Sequence, residues 1–491
     1  MSLNNFMRIK YSEKDLMGPY DHLVEKAIAS FDSGNIRKCI SLIRCAADYQ
    51  YSVNSILSDS RLEKLLKNLT GRLVEQCKGY KAVSNSILLY DYFTIDNRGL
   101  TQQYLDALVA SGKYDVTLVH DTVFGKRSVN TLKYCSEHNV KTFELGTGDY
   151  FERERKLLEI IFEIRPQKVL FHLYPSNVLP LVTFGAFSDI LKYQINLTDH
   201  AFWLGSQAID YSVEFRNLGC SRSEKLRGLR GDQLLLLPYY PWMEETPFQG
   251  FPEQATGKVV LFAGASLYKI EGGNGTFYKI VKRILDNNPQ CTMLFAGEGD
   301  RRPLLKFIKE YNYENRLILI GERTDIYEVF KHSDIYLNTY PLFGGLMSQY
   351  AALLGKPILT YEKTEVEEVV CTKKNEHFVF DSIDALLAEA DKLINDAEYR
   401  HKRGDFFKEL TLGQDDFRTT FLKTIESNKT QIAIVPADLQ MDFYNMYRNQ
   451  INEGKLGLYL ERLLFRNDII SIGWKMWFNI IMKVVEKCLT Y

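Results

Sequence analysis

Residues 258–270 read KVVLFAGASLYKI. An apolar run from Val259 to Ala263 stops on Gly264, Ala265 and Ser266, and Lys269 follows at once. A short apolar run closed by turn residues is a buried strand ending in a loop. The same texture returns in CTMLFAGEGD (291–300), RLILIGERTD (316–325), DIYLNTYP (334–341) and KPILTYE (356–362). Helical stretches lie between them: TFYKIVKRILDNN, RRPLLKFIKEY, IYEVFKHS and MSQYAALLG. Strict strand–helix alternation predicts an open, doubly wound parallel sheet, whose ligands sit outside the carboxyl ends of its strands.

Working outward, a second series precedes this one. SILLYDYF, YDVTLVHD, KTFEL, KVLFHLY, YQINLTD, YSVEF and QLLLLPY are short apolar runs, several separated by helical stretches such as TQQYLDALVASG and FERERKLLEIIFEI. A second parallel sheet is expected there. Between the two series, YYPWMEETPFQGFPEQATG is rich in proline, glycine and aromatics and reads as a linker. Residues 12 to about 80 carry apolar residues three and four apart, with breaks at Asp32–Gly34 and Ser58–Ser60, and read as helices. The expected organisation is therefore α/β: a helical extension over 1–82, a Rossmann-like domain over 83–243, a second over 256–427, and helices over 428–491.

Composition narrows the function. The 491 residues exceed one ordinary core, and 45% hydrophobic with 25% charged residues is globular. Lys+Arg number 61 against 62 acidic residues, so no global field favours nucleic acid, and any anion site is built locally. The eight cysteines stand far apart with no C-x-x-C pair, which reads as reduced thiols of a cytoplasmic protein. No apolar run reaches spanning length and the N-terminus shows no signal peptide. The tail NDIISIGWKMWFNIIMKVVEKC (467–488) reads either as a helix packed on the domains or as an interfacial segment against acidic lipid, peripheral on the inner membrane face.

Four strand ends of the second series stop on small or charged residues: Gly264–Ser266, Gly297–Gly299, Gly321–Arg323 and Tyr340–Ser348. In TYPLFGGLMSQYAALLGKP (339–357), Gly344 and Gly345 allow close backbone approach, and the helix starting there would aim the amides of Leu346, Met347 and Ser348 at an anion. Lys269 and Arg323 would neutralise the same charge. The plain alternative for Lys269 is a solvated surface lysine. There is no D-x-D, no H-E-x-x-H and no cysteine cluster, so no metal site is expected.

These segments together resemble the donor domain of GT-B glycosyltransferases, the O-linked N-acetylglucosamine transferase family and its bacterial protein-glycosylating relatives in particular. The resemblance covers roughly residues 190–425. It implies that Lys269 contacts the donor diphosphate and that Gly344 to Met347 bind it through backbone. It also implies that Arg323 stands in a loop where the family has a UDP-contacting lysine; Ser266, Gly297, Tyr327, Ser348 and Tyr350 are further donor-side candidates. Tyr350 stands where the family often has an acid for the ribose hydroxyls, so Tyr350 or neighbouring Gln349 would have to substitute, and the E-x7-E glutamates of larger retaining families are missing. In the first series, YQINLTDHAFWLGSQAIDYSVEF resembles the acceptor side, with His200 as a general base and Asp199 orienting it or serving as the base. A capping Asp–His turn is the plain alternative. Arg98 and Gly99, in an N-R-G turn, are expected to face acceptor or phosphate; His120, Asp121 and His172 lie at other strand ends, where a structural role is favoured.

The expected function is transfer of a sugar from a nucleotide donor, UDP-linked, to a hydroxyl of a surface glycan, lipid-linked glycan or protein. Inversion and independence of metal are expected, with no cofactor beyond the co-substrate. A nucleotide-sugar epimerase of the same fold, or a non-catalytic partner that binds glycan or stabilises an active transferase, are the rivals.

Overall fold

A computed structural model describes residues 11–93, 95–96, 101–121, 128–242, 245–439, 478 and 481. The chain divides into two units. The first takes residues 1–101, 105–237 and 422–491; the second takes 102–104 and 238–421. The tail 467–488, apart from Phe478 and Ile481, lies outside the described residues, as do Arg98 and Gly99.

The first unit opens with three helices, α1 (Glu13–Asp32), α2 (Ile36–Val53) and α3 (Ser60–Gly71). Their starts are written in the sequence: Ser12, Asn35 and Asp59 each accept a hydrogen bond from a backbone N–H of the following turn. A seven-stranded parallel sheet follows. Its strands are β1 (Ser86–Asp91), β2 (Asp115–His120), β3 (Lys141–Glu144), β4 (Lys168–His172), β5 (Leu191–Asn196), β6 (Tyr211–Glu214) and β7 (Leu234–Leu236). They lie in the order β3-β2-β1-β4-β5-β6-β7. The helices between them are α4 (Thr101–Ser111), α5 (Val129–Glu137), α6 (Tyr150–Ile164), α7 (Val178–Gly185) and α8 (Asn217–Arg227). The central strands β1 and β4 are buried along their whole length, which is why they read as unbroken apolar runs.

The second unit is a five-stranded parallel sheet in the order β10-β9-β8-β11-β12. Its strands are β8 (Val259–Gly264), β9 (Cys291–Ala296), β10 (Leu317–Gly321), β11 (Ile335–Leu337) and β12 (Ile358–Leu359). Helices α9 (Thr276–Asn287), α10 (Arg302–Glu310), α11 (Ile326–His332) and α12 (Gly345–Leu353) connect them. Then come α13 (Glu365–Val370), α14 (Ile383–Asn395), α15 (Ala397–Leu410) and α16 (Gln414–Ser427). In α9 the buried residues are Phe277, Ile280, Val281, Ile284 and Leu285, the three-and-four spacing of one apolar face laid on the sheet. Every strand run read from the sequence is a strand here, and both sheets are parallel throughout. The seven described cysteines are free thiols, six of them buried.

Candidate functional site

The carboxyl edge of the second sheet is built from close-packed loops. After β9, Gly297 has φ +149°, and a Cβ there would lie 1.8 Å from the Ala265 carbonyl oxygen. Only glycine lets the β9 loop come this near to the β8 loop. The Gly297 amide donates to the Gly321 carbonyl at 2.8 Å, so its contribution is to pack the edge, and its N–H is not offered to a ligand. Gly264 serves a similar end: a Cβ there would meet Met347 Cε at 2.5 Å.

Lys269 follows β8 in a short 3-10 turn (Leu267–Ile270). Its ammonium donates to the Phe343 carbonyl at 3.2 Å, and its own carbonyl accepts the Leu342 amide at 3.3 Å. The lysine is thus fastened to the loop that begins α12. Burial pulls its pKa below the usual lysine range, and no described carboxylate lies within ion-pairing distance to pull it back. A cation drawn out of water with no anion beside it is disfavoured until one arrives.

The loop from β11 to α12 is shaped by Asn338, which the sequence reading did not single out. Its Oδ1 accepts the amides of Thr339 (2.9 Å) and Gly344 (2.8 Å), while Nδ2 donates to Ser348 Oγ at 3.1 Å. A polar residue closing the buried strand IYLN was the available signal. Gly344 is the N-cap of α12, and no side chain caps the helix. The amides of Gly345, Leu346 and Met347, in half-buried residues, are therefore without intrahelical acceptors. Uncapped amides and the helix dipole make this end attractive to an anion, and Lys269 stands on the carbonyl two residues before it.

Four expectations are corrected. Ser348 does not offer its amide: α12 starts earlier than read, so Ser348 N–H closes on the Gly344 carbonyl at 3.0 Å, and the side chain is fully buried. Arg323 is not at the anion site. Its guanidinium holds Asp325 through two bonds of 2.7 and 2.6 Å and donates to Gly250 O at 2.9 Å, with the side chain 6% exposed. Burial would raise the Asp325 carboxyl, but the Arg323 hydrogen bonds outweigh it and lower it. Tyr350 is buried against Phe330, its hydroxyl donating to the Trp242 carbonyl at 2.6 Å, so it cannot hold a ribose; neighbouring Gln349 is also buried. The missing acid at 350 therefore says nothing about the donor.

The fourth correction lies in the first unit. Asp199 is fully buried and bound by Arg216 at 2.6 and 3.1 Å. Burial would raise its pKa, but the Arg216 charge and then the His200 hydrogen bond outweigh this and hold the carboxyl well below the usual range. It is a fixed anion and not a base. His200, 38% exposed, keeps its Nδ1 3.5 Å from Asp199. Of the remaining donor-side expectations, Ser266 is exposed at the start of the Lys269 turn, and Tyr327 lies on α11 under the Lys331 ammonium.

Residues 257–396 match the model of glycosyl transferases group 1. No curated protein matches the sequence. Among solved structures, an O-GlcNAc transferase mutant from Thermobaculum terrenum is similar at 13% identity and TM-score 0.52, over 89% of this chain and 83% of that one. The HepE protein of Anabaena, in complex with UDP and glucose, is similar at 13% identity and TM-score 0.52, over 70% and 99%. A Listeria monocytogenes protein assigned as a UDP-N-acetylglucosamine 2-epimerase is similar at 12% identity and TM-score 0.51, over 73% and 100%. Two wound parallel sheets and these likenesses agree on the fold: the chain has the GT-B fold, and the stretch similar to glycosyl transferases group 1 lies within its second unit.

Proposed function

We propose that the protein is a glycosyltransferase that takes a sugar from a UDP-linked donor and passes it to a hydroxyl, with inversion and without a metal. The observation that carries this reading is Lys269 fastened beside the uncapped start of α12. A departing nucleoside diphosphate develops negative charge, and a desolvated ammonium with free amides is suited to stabilise it. The choice of UDP is supported by the Anabaena complex with UDP and glucose. The donor side in this reading is Lys269 with Gly344, Gly345, Leu346 and Met347; Ser266 and Tyr327 flank it. His200, in the first unit, is the candidate base in this reading. The acceptor itself is a glycan or a protein.

The test is thermal stabilisation by UDP-, GDP- and dTDP-sugars. A UDP-sugar is expected to raise Tm, and Lys269→Ala to abolish that rise while leaving the unliganded Tm near wild type. No shift with any nucleotide would overturn the reading. The epimerase-like neighbour keeps one rival in view; release of a 2-epimerised sugar without any transfer product would favour it.

A further inference from the structure

Helices α9 and α10 lie on one face of the second sheet and share its core through Phe277, Ile280, Ile284, Leu304 and Ile308. Their outer faces are basic. Over 276–287 and 300–310 the chain carries seven lysines and arginines against three acids, Asp286, Asp300 and Glu310. The whole chain balances 61 cations against 62 acidic residues, so this surplus is local. Part of it is paired: Lys282 holds Asp286, Arg283 reaches Asp384 at 2.7 Å, and Arg302 reaches Asp300 at 2.6 Å. Lys279, Arg301, Lys306 and Lys309 are exposed and form no ion pair with a described residue.

A solvated helix face is commonly charged, but this one also carries apolar surface. Arg302, Leu305, Lys306 and Lys309 recur three and four residues apart and share the outer face of α10, turned away from buried Leu304 and Ile308. Leu305, in their midst, is 51% exposed. In the seam between the helices Phe307 packs on Tyr278 and on Tyr311, with ring centroids 5.0 and 5.1 Å apart. Tyr311 is 37% exposed, and the Lys282 ammonium lies 4.9 Å from the centre of its ring. A projecting leucine, half-buried aromatic rings and outward lysines together suit a bilayer surface. The leucine reaches the acyl boundary, the rings lie at headgroup level, and the ammonium groups meet anionic headgroups.

We propose that the outer face of α9 and α10 docks on an anionic lipid bilayer. Charge complementarity selects this occupant: cations without a protein anion face outward, and each one near an acidic leaflet strengthens attachment. The apolar part, Leu305 with the edge of Tyr311, is too small to hold the protein on a neutral surface, so attachment depends on lipid charge and is screened by salt. A protein partner of stable affinity would need a wider apolar centre. The proposal stands apart from the transfer reading and differs from the interfacial reading of residues 467–488.

The full chain is sedimented with vesicles of phosphatidylcholine alone and of an equimolar mixture of phosphatidylcholine and phosphatidylglycerol, at low and at high salt. Binding to the mixed vesicles only, lost at high salt, is expected. Lys306→Gln combined with Lys309→Gln should weaken it about 30-fold, the effect of two interfacial cations. Leu305→Ala should weaken it about fivefold. Lys64→Gln combined with Lys67→Gln removes the same charge from exposed positions of α3 in the first unit and should leave binding unchanged. Each variant should keep the wild-type Tm, since the replaced side chains are exposed. Binding by the Lys306 and Lys309 double variant within about threefold of wild type overturns the proposal. So does equal weakening by the Lys64 and Lys67 control. A loss confined to Lys475→Gln combined with Lys483→Gln also overturns it, giving the membrane contact to residues 467–488. A wild type that binds no vesicle ends the lipid reading, and if it binds heparin instead the partner is an acidic polymer.

Discussion

Lys269 binds an anion only as an ammonium, and burial lowers its pKa. Affinity for UDP should therefore weaken as pH rises, beginning below the ordinary lysine value of about 10.4. Lys269→Arg keeps its charge to higher pH, so calorimetric titration of that variant should show weaker binding without this alkaline fall. Asp199 behaves in the opposite sense. Its folded pKa is depressed, so its contribution is present above the unfolded value of about 3.9 and is lost as pH falls below it. Asp199→Asn leaves Arg216 buried without its anion and should cost about 3–5 kcal/mol at neutral pH. Urea midpoints should show that gap closing in acid. Gly297→Ala must push the β9 loop off Ala265, so both the Tm and the UDP-induced shift should drop.

At the scale of elements, the N-terminal helices hold the loop that follows β5. Asn54, in the left-handed conformation that ends α2, donates to His200 O at 2.8 Å and accepts the Phe202 amide at 3.1 Å. Glu63 of α3 accepts the amides of Gly205 (2.8 Å) and Gln207 (3.1 Å). Arg227 of α8 reaches the carbonyls of Thr198, Asp199 and Ala201 from the other side. These side chains satisfy part of the loop's buried backbone. Asn54→Ala should destabilise the fold by about 1–3 kcal/mol per orphaned group, read from the denaturation midpoint.

In the whole molecule, the first unit is closed by chain from far downstream. After α16, Asn428 takes the Tyr193 hydroxyl, Val435 N–H donates to Asn217 at 2.9 Å, and Ala437 N–H to Ser221 at 2.8 Å. Ile432 and Ile434 pack on the first unit's core. Truncation after Ser427 should lower the stability of the first unit yet spare UDP binding, which the proposed function assigns to Lys269 and α12 of the second. Calorimetry with and without UDP separates the two effects. Among the described residues no helix is long and apolar enough to cross a membrane.

The succession of strands and helices was legible because hydrophobic period and turn residues act over a few neighbours. Lys269 and the start of α12 were legible for the same reason: a strand end, a glycine pair and a cation are local marks. What Arg216 does to Asp199, 17 residues away, or Trp242 to Tyr350, 108 residues away, is not written in either neighbourhood. Arg323 is the intermediate case, since its partner Asp325 lies two residues on and could have been weighed. The pairing of Asp91 with His172 needed the strand order, because only the register of β1 on β4 brings the two ends together. Sequence determined which elements form and where chemistry-bearing residues stand along them. Tertiary structure decided which charges are neutralised by one another and which remain for a ligand, because that depends on contacts between segments distant in the chain.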